Sequence, residues 1–502
     1  MADEGLYEKV LAQIGGQDRL EEIKPPRSSA SVVLWRHREG HLEVYWIKRA
    51  RTMRFMGGFH AFPGGGLSRH DKSEIDAVGP LGCEDGPVEG AMPDAVIDGV
   101  GDLGPILCDG LAACALRELE EETGLSLDPQ RDLARLIYAG RWLTPPLGPL
   151  RFDNRFFLLE WPLAEKQQPR IASAEAEHDE WIRPMDALAR WREGEVITAP
   201  PILHILRVLL EDGPEKGLPR MRAPVEANLG PHRRVEFRPG VLLFPVKTPT
   251  LPPAAYTNCY VLGQEEVVLV DPGSPYPLEI ERLVRALEAL VKQENRHLSA
   301  IWLTHHHPDH VGGVEEIRRR LGVPVCAHRS GVEPLADRGI PIDDVLEDGQ
   351  QIVLGHAEGF PVRVVHTPGH AQGHLCFLEE THGSMLVGDL VAGFGTIVID
   401  PPEGNMGDYL SSLRRVREMA PRALFPAHGS VTIDPLAKLD EYVQHRLWRE
   451  GRILEAWRAG LRQPAAMLEQ VYDDVPPMAQ PLAERQIVAH LEHLEASGKL
   501  EK

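Results

Sequence analysis

Four short segments of this chain carry metal-ligating side chains, and each stands at the end of an apolar, strand-like run. The first, Thr304-His305-His306-His307-Pro308-Asp309-His310, follows Ala300 to Leu303 and precedes a Gly-Gly turn and a helix starting near Val314. The second is Thr367-Pro368-Gly369-His370, the third closes Met385-Leu386-Val387-Gly388-Asp389, and the fourth is Pro426-Ala427-His428-Gly429. Strand ends are where α/β folds gather their chemistry, so this spacing ties the middle of the chain to an α/β architecture with loops on one side. Imidazole nitrogens and carboxylates suit zinc-like ions. A histidine-rich loop alone is often a solvated turn, and the three later segments tell against that reading here. His306 points away from its neighbours if strand alternation persists, so it is expected not to be a ligand. His356, His366 and His382 are expected at the surface or in packing.

The order HxHxDH, His, Asp, His resembles the metallo-β-lactamase superfamily. The likeness runs from about Val241 to Pro435 and includes Thr257-Asn258-Cys259-Tyr260 and the Asp271-Pro272-Gly273 turn. It implies an αββα sandwich. It also implies that His305, His307 and His370 hold one metal, that Asp309, His310 and His428 hold a second, and that Asp389 bridges both. Two Zn²⁺ or other divalent ions are the implied cofactors. Such a pair, about 3.5–4 Å apart, lowers the pKa of a shared water so that it can attack an ester-type or phosphodiester bond. Asp309 and Asp389 are the catalytic carboxylates in this reading, and the full set of seven argues against a single-metal dioxygenase. His374 is expected to support the ligands rather than to join them.

A second cluster lies near the N-terminus. Arg117-Glu118-Leu119-Glu120-Glu121-Glu122-Thr123-Gly124 places Glu118, Glu121 and Glu122 on one helix face. Three like charges there call for a cation, and oxygen-only ligands favour Mg²⁺ or Mn²⁺. Together with Phe62-Pro63-Gly64-Gly65-Gly66, the segment resembles the Nudix box, over about Pro26 to Asp212. The resemblance implies an α/β/α fold that hydrolyses a diphosphate, with Glu121 and Glu122 catalytic and all three glutamates holding metal. Arg117 is expected to pair with a carboxylate, and Glu177 is a candidate further ligand or base. Asp109 stands where the box has its first glutamate. Arg54-Phe55-Met56 and Arg151-Phe152-Asp153 are similar to a coenzyme A diphosphatase-like branch with a split box. The altered box leaves a non-catalytic nucleotide-binding module as the alternative.

At 502 residues the chain exceeds one core, and its 43% hydrophobic and 26% charged content is globular. The expected organisation is a multi-domain α/β chain: leader 1–26, Nudix-like domain 27–212 with an insertion at 68–109, linker 213–240, metallo-β-lactamase domain 241–439, and tail 440–502. The tail's helices, with the stripe Ile487, Leu491 and Leu494, resemble the winged helix of beta-lactamase-like protein two, a family associated with single-stranded RNA cleavage. That makes single-stranded RNA the first expected substrate, with Arg318-Arg319-Arg320, Arg414-Arg415 and Arg446 as its basic contacts. The net charge of −21 opposes it. An acyl thioester, as in glyoxalase two, and a small-molecule diphosphate at the Nudix site are the other expected partners. Six scattered cysteines, no apolar leader and no long apolar run point to a cytoplasmic protein without membrane partners.

Overall fold

The computed structural model describes residues 26–53, 55–68, 71, 108–145, 150–222, 235–251, 254–356, 359–475 and 479–500. Almost all of the expected leader and of the insertion at 68–109 lies outside them. The chain divides into two compact units, one within 23–242 and the other from Leu243 onward.

The first unit is built on β1 (Arg27–Arg38), β2 (His41–Arg49), β3 (His60–Ala61), β4 (Gly64–Gly66), α1 (Cys108–Thr123), β5 (Ile137–Leu143), β6 (Phe152–Glu160), β7 (Ala176–Ile182), α2 (Pro184–Arg192) and α3 (Pro200–Glu211). The sheet runs β3-β2-β1-β6-β5, with β4 on β1 and β7 on β2. Positive φ at Glu39 and Gly40, 53° and 80°, closes the β1-β2 hairpin with a twist that suits its strands. Because successive strand residues face opposite sides, β1 sends Val33 and Trp35 toward α2 and α3, and Ala30, Val32 and Leu34 toward α1. On α1, Leu111, Cys114, Ala115 and Leu119 recur at helical spacing and bury against that second face. The result is one sheet with helices on both faces.

The described part of the expected linker at 213–240 is structured. Gly213–Lys216 and Leu218–Arg222 are short helices, Met221 is buried in the first unit's core, and Val235–Arg238 is a strand, β8. Residues 223–234 lie outside the described residues.

The second unit contains β9 (Val241–Lys247), within which the division between units falls, then β10 (Tyr256–Gly263), β11 (Glu266–Val270), α4 (Pro277–Gln293), β12 (His297–Trp302), α5 (Pro308–Val311), α6 (Val314–Leu321), β13 (Val325–Ala327) and β14 (Asp344–Val345). A second sheet comprises β15 (Gln351–Leu354), β16 (Phe360–His366), β17 (Leu375–Glu379), β18 (Ser384–Gly388) and, after α7 (Met406–Glu418), β19 (Ala423–Pro426). Three helices follow: α8 (Pro435–Arg458), α9 (Pro464–Val471) and α10 (Gln480–Ala496). In the first sheet the order is β14-β13-β12-β11-β10-β9, in the second β15-β16-β17-β18-β19. Trp302 of β12 meets Phe377 of β17 with ring centroids 5.1 Å apart, so the sheets pack face to face. Against the second sheet lie Tyr409, Leu410 and Leu413 of α7 and Leu439, Tyr442 and Val443 of α8.

The expected boundary at 440 falls inside α8. Its N-terminal half belongs to the sandwich core, while Ile453 and Ala456 join Met467, Val471, Ile487 and Leu494 in a separate small core. Ile487 and Leu494 of the tail stripe are therefore packing residues, and Leu491 packs against the same cluster. Among the described residues no helix is long and apolar enough to cross a membrane.

Candidate metal centre

β12 ends at Trp302, and the chain is then pinned by Asp271, whose carboxylate accepts from Thr304 N at 2.8 Å and Thr304 Oγ1 at 2.6 Å. Pro308 starts α5, where its missing N–H costs nothing. Gly273 permits the approach of the neighbouring turn, because a Cβ there would stand 1.7 Å from Asp309 O. A short strand end, a proline and a glycine thus fold His305, His307, Asp309 and His310 over one point.

Two sets of donors converge. His307 Nδ1 stands 3.0 Å from His305 Nε2 and 2.9 Å from His370 Nε2. These separations approach the edge, about 3.3 Å, of a tetrahedron with bonds near 2.0–2.1 Å. Asp309, His310 and His428 form the second set, with His428 Nε2 at 3.4 Å from Asp309 Oδ2. Asp389 faces both: Oδ1 is 3.6 Å from His310 Nε2 and 3.5 Å from His428 Nε2, and Oδ2 is 3.5 Å from His370 Nε2. His310 Nε2, His428 Nε2 and Asp389 Oδ1 are buried without a hydrogen-bond partner. Buried polar atoms left so need a complement, and divalent cations at the two positions fit this donor set.

The opposite ring nitrogens are anchored. His310 Nδ1 meets Asp271 Oδ2 at 2.8 Å, His370 Nδ1 meets Val398 O at 2.7 Å, and His428 Nδ1 meets Tyr256 O at 3.1 Å. Each contact fixes the tautomer that leaves Nε2 turned to the centre. His374 is fully buried; its Nδ1 contacts Thr367 Oγ1 at 2.8 Å and its Nε2 accepts from Asp389 N at 3.0 Å. It holds Asp389 from behind.

Burial holds the His305 and His374 imidazoles well below the usual histidine range, and His370 falls to about 4 for the same reason, reinforced by His307. At His310 and His428 burial is outweighed by carboxylates, chiefly Asp389, and both are raised. Burial is likewise outweighed at Asp389 by His428 and His310, which keep its carboxylate well below the usual range. Carboxylates and imidazoles of the second set thus favour each other's charged forms, and a cation bound there would compete with protons for the imidazoles.

His306 is buried and stands outside both sets, with Nε2 3.1 Å from Glu403 Oε1. Glu403 also reaches His307 Nε2 at 3.4 Å. Sequence reading missed Glu403: it sits in Pro401-Pro402-Glu403-Gly404, where no periodicity marks it. Of the residues set aside earlier, His366 stacks on His328 at 4.0 Å and His382 is buried beside Glu379.

In the first unit, the glycine-rich turn and the carboxylate helix meet. Gly64 N donates to Glu122 Oε2 at 2.8 Å, and a Cβ on Gly65 would come within 2.4 Å of the Glu118 carboxylate. Burial pushes Glu118 up and carries Glu122 to about 7. Arg117 pairs with Glu118, Glu121 and, through two hydrogen bonds of 2.7 and 3.0 Å, with buried Asp71. Asp71, just beyond the glycines and inside the expected insertion, is thus a carboxylate partner of Arg117 that sequence reading did not name; the Asp109 side chain lies outside the described residues. Glu177 accepts from Arg51 N at 2.8 Å and lies 3.7 Å from Lys48. Glu175 is the acid whose charge reaches both Glu118 and Glu122. Among the described residues, Glu118, Glu121 and Glu122 do not converge as the histidine sets do.

Comparison with known proteins finds family matches within the second unit. Residues 252–428 match the metallo-beta-lactamase superfamily model, and residues 464–502 match that of the beta-lactamase associated winged helix domain. A beta-lactamase-like protein 2 homolog of Drosophila melanogaster is 31% identical over 258 residues, covering 49% of this chain and 84% of that protein. An atrochrysone carboxyl ACP thioesterase of Aspergillus chevalieri is 34% identical over 211 residues, 42% of this chain and 63% of the relative. A solved metallo-beta-lactamase family protein from Thermus thermophilus is 25% identical with a TM-score of 0.43, covering 52% of this chain and 95% of that one.

Proposed function

The chain belongs to the metallo-beta-lactamase superfamily, and on that premise we propose that its second unit is a metal-dependent hydrolase that cleaves an acyl thioester. The observation that carries the choice of substrate is that, of the six arginines named for RNA, all but the exposed Arg414 are already engaged. Arg318 is bound to Asp343, Arg319 to Glu316, Arg320 to Glu316 and Glu281, and Arg415 to Asp348. Arg446 is buried against Gln486 and Ile397 O. Charges already neutralised release few counterions from a phosphate backbone, and a net charge of −21 adds repulsion. A relative whose name states ACP thioesterase activity supports the same choice.

Divalent cations held by His305, His307 and His370 and by Asp309, His310 and His428 would supply Lewis acidity and a water of lowered pKa. The chain's own part is geometric. Asp389 offers one oxygen to each set and so fixes their spacing, while His374 and Asp271 hold the ligands from outside. Asp309, beside His428, is the second catalytic carboxylate of this reading.

The full-length protein, loaded with Zn²⁺, should release free thiol from acyl-coenzyme A, and Asp389→Asn should slow this at least about a hundredfold, more than loss of a supporting partner alone costs. Cleavage of single-stranded RNA with no thiol release reverses the substrate assignment.

For the first unit the reading is Nudix-type diphosphate hydrolysis with Mg²⁺ or Mn²⁺. It is supported by the meeting of the Gly64-Gly65 turn with Glu118 and Glu122, the juxtaposition a diphosphate and its cation require. Binding of a nucleoside diphosphate derivative without turnover would make the unit a recognition module.

A further inference from the structure

The segment Ile397–Glu403, between β18 and α7, has two working sides. Ile397 O accepts from Arg446 Nη2 at 2.5 Å and Ile399 O from Gln486 Nε2 at 3.1 Å, so α8 and α10 grip it from one side. Val398 O, between them, turns the other way and meets His370 Nδ1 at 2.7 Å. This is the alternation expected of extended backbone. Arg485 of α10 adds a 2.5 Å contact to Asp400 Oδ1 and one to Pro401 O. At the end of this strap, Glu403 is fixed through its carbonyl, which accepts from Gln372 Nε2 at 3.0 Å.

The Glu403 carboxylate lies 3.4 Å from His307 Nε2 and 3.1 Å from His306 Nε2. His307 differs from the other ligands in presenting Nδ1, not Nε2, to its set. A neutral imidazole carries one N–H, and a carboxylate only accepts. With Glu403 beside Nε2 the proton stays there, and the Nδ1 lone pair is left to face the first metal position. We propose that Glu403 is a positioning residue that sets the tautomer and ring plane of His307, held in place by the strap that α8 and α10 grip. The inference rests on the metal reading above.

The test uses the full chain stripped with a chelator and titrated with Co²⁺ against a chromophoric competitor. It also reads the visible Co²⁺ spectrum and the unfolding midpoint of the stripped protein. The wild type should take up two equivalents. Glu403→Ala should weaken the more affected equivalent about 10–100-fold and alter the spectrum, with the stripped midpoint unchanged. Glu403→Gln should recover part of the loss, since its amide oxygen still accepts from Nε2–H.

Unchanged affinity and spectrum in Glu403→Ala would overturn the proposal. So would equal losses in both variants with a lowered stripped midpoint, which is the signature of a merely structural role. A third equivalent in the wild type that vanishes in Glu403→Ala would make His306, His307 and Glu403 a metal site of their own and overturn it as well. If the wild type takes up no Co²⁺, the metal reading fails first and the inference falls with it.

Discussion

His60 is a buried imidazole whose Nδ1 has no hydrogen-bond partner, set against Trp46 with ring centroids 4.6 Å apart. Burial, aided by the charge of Lys48, lowers it to about 4 from an ordinary 6.5. Below pH 6.5 the unfolded chain takes up a proton that the folded chain refuses until about pH 4, so folding stability falls across that window and levels off beneath it. The full effect is roughly 3 kcal/mol. In the same unit Glu122, raised to about 7, takes up a proton on folding and works the other way over that window, so the test is a difference: on going from pH 7 to pH 5 in urea unfolding, His60→Gln should gain stability relative to the wild type, and the same change in both would remove His60 as a cause. At this scale the sequence made some residues legible and hid others. His305, His307 and Asp309 announce themselves because one short loop carries them all. Asp71 and Glu403 do not, because each meets its partner across a long span, 46 residues to Arg117 and 96 to His307, and only the folded chain brings them together.

Elements were legible where burial pattern and period agreed. Strands such as β11 and β12 end where an apolar run meets a polar turn, and α1 shows its apolar stripe. What sequence could not reveal is that α8 serves two cores. Its surface carries Leu439 and Val443 for the sandwich and Ile453 and Ala456 for the tail, with no break in helical pattern between them. A domain boundary read from the tail's helical pattern therefore fell inside a helix that starts earlier, at Pro435. Since one rigid element is common to both cores, damage to the small core should be felt by the larger one. Ile453 is fully buried, and Ile453→Ala should destabilise the second unit by about 2–4 kcal/mol through the cavity it leaves. Chemical unfolding should show one shifted transition for that unit. An early, separate transition of the tail alone would mean that α8 does not couple the cores.

On the scale of the whole molecule, the two candidate sites draw on separate residues. The histidine centre draws on residues between Tyr256 and His428, and the carboxylate helix on residues between Gly64 and Glu177. No side chain described above serves both. Mutational effects at sites that share no partners add to within a few tenths of a kcal/mol. Asp389→Asn should therefore abolish thiol release while leaving hydrolysis of a diphosphate at the wild-type rate within about twofold, and Glu122→Gln should do the reverse. The double variant should lose both activities by the product of the single losses. Parallel assays on acyl-coenzyme A and on a nucleoside diphosphate derivative, in Zn²⁺ and Mg²⁺ respectively, make the comparison. Glu122 sharpens it, because the carboxyl whose burial brings it to about 7 already accepts from Gly64 N, a contact that Gln can keep through its amide oxygen. Glu122→Gln thus removes charge without removing the turn, and a loss confined to diphosphate turnover would place that charge in the chemistry. If Glu122→Gln instead slows thiol release as much as diphosphate hydrolysis, the two units do not act as separate hydrolases.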